Sequence, residues 1–148
     1  MPISKGLQEV CVARLKVMIV DDDPVALEIA SAILEKQGHE VVARKTALGT
    51  AVAVLRECPD VAVLDVKMPG ISGRELLKVI RSQEVVRGAR PTSFIFYSGL
   101  ERAELEQLVD ETEALGAVEK TLAPGQLASA LEALLAKVRP HESDRAAC

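Results

Sequence analysis

Val61-Ala62-Val63-Leu64-Asp65-Val66-Lys67-Met68-Pro69-Gly70 is the stretch that decides the fold. Its first four residues are apolar at consecutive positions, so a strand built from them needs cover on both faces, whereas a half-exposed strand would alternate apolar with polar. Phe94-Ile95-Phe96-Tyr97 repeats the pattern. Strands of this kind belong to parallel sheets sandwiched between helices. Working outward, apolar runs at 15–20, 40–43, 61–64, 94–97 and 117–118 alternate with segments of helical period at 25–37, 47–57, 74–81, 102–112 and 126–138. The last is the clearest, with Leu127, Ala130, Leu131, Leu134, Leu135 and Val138 on one face. Five β-α units joined by right-handed crossovers predict an α/β, doubly wound open parallel sheet. The stretch 82–91, flanked and punctuated by Arg81, Arg87 and Arg90, reads as a long basic loop.

Composition bounds the rest. The chain has 148 residues, enough for one well-buried core and too few for two ordinary domains. Residues 1–14 read as an N-terminal extension, 15–139 as the domain and 140–148 as a C-terminal tail. At 49% hydrophobic and 2% aromatic, the core is built from Val, Leu, Ile and Ala. A net charge of -4 argues against a nucleic-acid footprint, which needs clustered Lys and Arg. Cys11, Cys58 and Cys148 are too few and too scattered for a disulfide framework or a zinc site, so a reducing compartment is expected. No apolar run is long enough to cross a bilayer and no signal peptide precedes the domain, so the expected location is cytoplasmic, without membrane contact.

In doubly wound sheets ligands bind beyond the carboxyl ends of the strands. Four of the five ends carry chemistry: Asp21-Asp22-Asp23-Pro24, Asp65, Ser98-Gly99 and Glu119-Lys120. Asp23 before Pro24 is explained as a helix N-cap with proline at the first helical position. Asp21 and Asp22 need another reason, because with the first and third strands adjacent they stand beside Asp65, and carboxylates sharing a crevice repel. A hard divalent cation resolves that repulsion. An all-oxygen set without His or Cys suits Mg2+ or Mn2+, with coordination positions left for a phosphate.

The expected chemistry is attack by a carboxylate on a phosphoryl donor, a reaction catalysed by positioning and charge neutralisation. Lys120 supplies positive charge and Ser98 a hydroxyl, while Gly99 removes side-chain bulk where the phosphoryl group must approach. Each residue alone has a plainer reading: a turn cap for Asp65, a helix cap for Ser98, a surface lysine for Lys120. Their occurrence together, each at a strand end, favours the site.

Through Val17-Met18-Ile19-Val20-Asp21-Asp22-Asp23-Pro24, Val63-Leu64-Asp65-Val66-Lys67-Met68-Pro69-Gly70-Ile71-Ser72-Gly73, Ser98 and Lys120, the sequence resembles the response-regulator receiver family of two-component signalling. The resemblance implies a flavodoxin-like (βα)5 fold with strand order 2-1-3-4-5. It implies Asp65 as phosphoacceptor, with metal ligands Asp22, Asp65, the Lys67 backbone carbonyl and, through water, Asp21. Ser98, Gly99 and Lys120 would surround the phosphoryl group. The implied partners are a sensor histidine kinase or phosphotransfer protein and a downstream protein or fused output domain, with no direct nucleic-acid contact. Leu105, Leu108 and Val109 on the fourth helix, beside the fifth, are the expected partner or homodimer face.

Two departures from the family pattern stand out. Ala117 occupies the position of the usual switch aromatic, and Thr121 that of the proline after the lysine. Tyr97, immediately before Ser98, is a candidate substitute for that aromatic, although a core tyrosine on a buried strand is the favoured reading. Aligning the family's lysine with Ala123 instead of Lys120 would leave the site without its cation. The alternative function is a phosphate-independent interaction module of the same fold. A phosphohydrolase is disfavoured, because His39 and His141 lie away from the strand ends and no second general base is present, so the chain is expected to be a signalling phosphoacceptor, not an enzyme.

Overall fold

In the computed structural model the described residues are 13–140. Most of the expected terminal extensions therefore lies outside them. The chain alternates β1 (Lys16–Val20), α1 (Pro24–Lys36), β2 (Glu40–Arg44), α2 (Thr50–Glu57), β3 (Val61–Leu64), α3 (Gly73–Arg87), β4 (Ser93–Ser98), α4 (Arg102–Thr112), β5 (Gly116–Glu119) and α5 (Pro124–Leu135). The five strands form one parallel sheet in the order β2-β1-β3-β4-β5. That is the expected doubly wound, flavodoxin-like arrangement, with its topological switch between β1 and β3.

Alternation of side chains along the strands divides the core in two. Val17, Ile19, Val61, Val63, Ile95, Tyr97 and Val118 face α1 and α5, where they meet Leu27, Leu34, Leu127, Leu131 and Leu135. Met18, Val20, Ala62, Leu64, Phe94 and Phe96 face the other way, onto Ala53 and Val54 of α2, Leu76, Leu77 and Ile80 of α3 and Leu108 of α4. A buried side chain of this size contributes about 1.5–3 kcal/mol. Both faces of the central strands are thus covered, which is why 61–64 and 94–97 need no polar residue.

Caps set the helix limits. Asp23 accepts from the Val25 and Ala26 amides, with Pro24 opening α1, an arrangement worth about 1 kcal/mol. Ser72 and Glu75 form a reciprocal capping box on α3. That helix runs six residues past the expected stop at 81 and ends at Gly88, whose φ of 66° is left-handed. The expected loop is therefore half helix. Glu84, which reads as a polar loop residue, is buried and accepts from both the amide and hydroxyl of Thr92, at 2.9 and 2.7 Å.

Cys58 holds the left-handed position that ends α2, its Sγ 3.4 Å from the Leu55 carbonyl oxygen. One further expectation changes. Leu108 is buried against the sheet and gives no outer partner face, whereas Leu105, though buried, and half-buried Val109 line a groove. Among the described residues no helix is long and apolar enough to cross a membrane.

Candidate functional site

Register builds the site. Val20 pairs with Leu64 across the β1–β3 ladder, so the next residues, Asp21 and Asp65, emerge side by side at the carboxyl edge. The Asp65 amide donates to the Val20 carbonyl at 3.0 Å, and the Asp21 amide to the Arg44 carbonyl at 3.1 Å. Both carboxylates are buried, whereas Asp22 is exposed. Oxygens of Asp21, Asp22 and Asp65 lie within 4.8 Å of one another.

Lys120 reaches this cluster from the end of β5. Its amide donates to the Ser98 carbonyl at 2.8 Å, which ties the two strand ends together. Its Nζ donates to Asp21 Oδ1 at 3.0 Å and stands 2.8 Å from Asp21 Oδ2 and 3.3 Å from Asp65 Oδ2. Ala123, the alternative lysine slot, instead precedes α5 as its N-cap residue. No cis peptide occurs among the described residues, so the bond from Lys120 to Thr121 is trans.

Electrostatics follow from burial. Desolvation, then the neighbouring Asp21 charge, raises the Asp65 pKa to about 6 against the pull of Lys120. Burial alone would lower the Lys120 pKa, but its hydrogen bond to Asp21 and the charges of Asp21 and Asp65 outweigh that and raise it. Three carboxylates against one ammonium leave two negative charges uncompensated. Asp21 Oδ2 is buried with no aligned hydrogen bond, its 2.8 Å approach to Lys120 being an ion-pair contact only. An excess of two charges and an all-oxygen donor set fit a hard divalent cation.

The other expected residues fall as follows. Ser98 is buried at the end of β4 and, instead of capping α4, accepts from the Leu100 amide at 3.2 Å; Glu101 is the N-cap residue. The Lys67 amide makes a long 3.4 Å approach to Asp65 Oδ1. Gly99 is exposed just beyond β4, and a Cβ there would meet no protein atom within 4 Å, which leaves open space beside Ser98. His39 is buried and accepts from the Leu15 amide at the opposite edge of the sheet.

The chain itself is crowded at Gly73. A Cβ there would collide with the Asp65 carbonyl oxygen and lie 3.1 Å from the carbonyl carbon, because the chain returns over Asp65 as α3 begins. Glycine opening a helix is a signal of such an approach, since it sacrifices helix stability. Tyr97 was also more than a core residue: its ring centroid lies 5.5 Å from Lys120 Nζ. Its position beside Ser98 was the only sequence hint.

The chain is similar to known proteins. The response regulator receiver domain family matches residues 17–132. The phosphate regulon transcriptional regulatory protein PhoB of Pseudomonas aeruginosa is 31% identical over 129 residues, covering 86% of this chain and 55% of that protein. The sensor protein GacS of Pseudomonas syringae is 39% identical over 72 residues, covering 49% of this chain and 8% of GacS. The chain thus spans about half of one relative and a small part of the other. Among solved structures, a two-component response regulator of the LuxR family from Aurantimonas superposes with a TM-score of 0.72 at 27% identity, covering 91% of this chain and 94% of that one.

Proposed function

This chain belongs to the response regulator receiver family, and from that premise we propose that it accepts a phosphoryl group on Asp65 from a histidine kinase or phosphotransfer protein and changes conformation in response. The observation that carries the proposal is the buried Asp65 carboxylate held within 4.8 Å of two further carboxylate ligands and 3.3 Å from Lys120.

An Asp65 carboxylate oxygen forms the new O–P bond as the donor's P–N bond breaks, and the bonding pair leaves on the donor's imidazole nitrogen. Asp22, Asp65 and the Lys67 carbonyl, with Asp21 acting through water, would hold Mg2+ or Mn2+. When bound, such a cation supplies positive charge against the phosphoryl oxygens. Lys120 adds a second positive charge from the β5 side, and the Ser98 hydroxyl offers a donor from β4. Burial excludes bulk water, which strengthens each of these interactions.

A partner would read the phosphorylated state through the groove of about 500 Å3 between α4, β5 and α5. Val109, Ala117, Leu122 and Ala130 line it, and its rim is charged, with Arg102 paired to Glu106 and Glu119 and Asp110 beside them. Small Ala117, in place of an aromatic, leaves the groove open.

The test is intact mass after incubation with acetyl phosphate and Mg2+, alongside Asp65→Ala and a chelated sample. One added phosphate, lost in both controls, is expected. An unmodified wild-type protein under all conditions would overturn the proposal in favour of the phosphate-independent module.

A further inference from the structure

We infer that Tyr97 is a positioning residue for Lys120, its ring holding the ammonium beside Asp65 while the carboxylates that also hold it change state. The inference rests on Asp65 being the phosphoacceptor.

Lysine is a point charge on a flexible four-carbon stem, so its usefulness depends on what restrains Nζ. The Lys120 backbone is anchored through its amide to the Ser98 carbonyl. Beyond that, among the described residues Nζ contacts Asp21, Asp65 and the Tyr97 ring. The two carboxylates are poor permanent anchors. Asp21 divides its charge between Lys120 and any cation in the site, and Asp65 loses its charge on one oxygen when that oxygen bonds to phosphorus. The ring is uncharged and unaltered by either event.

Its geometry suits the task. A centroid distance of 5.5 Å is within the roughly 6 Å reach of a cation–π contact. Tyr97 is 3% exposed and is packed in the cluster shared by α1 and α5, so the ring is fixed. The other sheet residues of that cluster, Val17, Ile19, Val61, Val63, Ile95 and Val118, are all aliphatic, and among the described residues Tyr97 is its one aromatic member. An aliphatic residue would fill this core equally well without attracting a cation.

The experiment compares wild type, Tyr97→Phe, Tyr97→Leu and proteins carrying singly, doubly and triply fluorinated phenylalanine at 97. Fluorination weakens the negative face of the ring with little change in volume, which keeps the test informative should Tyr97→Leu fold poorly. Two readouts are taken: the upfield ring-current shift of the Lys120 Cε protons in metal-free protein, and the rate of phosphorylation by acetyl phosphate with Mg2+. Tyr97→Phe should match wild type in both. Tyr97→Leu should lose the shift and react roughly three- to thirtyfold more slowly, and the rate should fall stepwise along the fluorinated series.

Equal rates across the fluorinated series would overturn the inference, as would a Tyr97→Phe protein as slow as Tyr97→Leu, since the hydroxyl would then be responsible. A wild-type protein that takes no phosphate fails the phosphoacceptor reading instead, and the metal-free Lys120 shift still reports whether the ring holds the ammonium.

Discussion

Lys120 Nζ lies closer to Asp21, at 2.8 and 3.0 Å from its two oxygens, than to Asp65, at 3.3 Å. The ammonium therefore neutralises the ligand cluster first and the proposed acceptor second. Asp21 and Lys120 act on Asp65 with opposite signs, Asp21 raising its pKa and Lys120 lowering it. Asp21→Asn should move the Asp65 midpoint below about 6, and Lys120→Met should move it up by about one to three units. Carbon NMR of the Asp65 carboxyl in metal-free protein measures both. Shifts of the same sign would contradict the charge arrangement.

The Asp65 pKa also makes a stability prediction. A carboxyl whose folded pKa is raised from 3.8 to about 6 favours folding in its protonated form, a stabilisation present below pH 3.8 and lost as pH rises through 6. Above pH 7, Asp65→Asn should therefore be more stable than wild type in chelator, by on the order of 2 kcal/mol. The advantage should shrink as pH falls below 6. Urea denaturation at pH 8 and pH 4.5 tests this, and Mg2+ should narrow the gap at pH 8 by stabilising only the wild type.

Gly73→Ala should be costly although Ala is the better helix former. The added methyl meets backbone of Asp65, which has no rotamer to yield, so α3 and β3 must separate. A loss of about 1–3 kcal/mol is expected. Perturbed amide shifts at Asp65 and Val66 should accompany it. Gly99→Ala, with no protein atom near its new Cβ, is the contrasting variant and should leave stability unchanged.

His39 provides a second pH response, remote from the site. Burial lowers its pKa from 6.5, against the opposing charge of Asp60, and its Nδ1 must be unprotonated to accept from the Leu15 amide. With the folded pKa depressed, the stabilisation is present above pH 6.5 and is lost as pH falls toward the folded value. Wild type should lose stability relative to His39→Gln between pH 7 and pH 5. Parallel pH profiles for the two proteins would show that the imidazole does not titrate as inferred.

Local patterns carried much of this protein. Consecutive apolar residues at 61–64 and 94–97 required two-sided cover, the period of 102–112 matched α4, and Asp23-Pro24 announced the start of α1, because each depends only on neighbours in the chain. Strand ends likewise pointed to Asp21, Asp22, Asp65, Ser98 and Lys120, since the carboxyl edge of a parallel sheet is where side chains leave the ladder. What lay beyond local pattern was decided by packing. Glu84 extends α3 because Thr92 meets it in the interior, and Leu105 and Leu108 turn inward where helical period alone left their partner unspecified. Gly73 is a glycine that clearance within the chain demands, because the chain folds back over the Asp65 carbonyl. The meeting of Lys120 with Asp21 and Tyr97 is likewise tertiary. Sheet order and register bring together groups that are remote in sequence, and only their distances and burial determine which charges compensate one another.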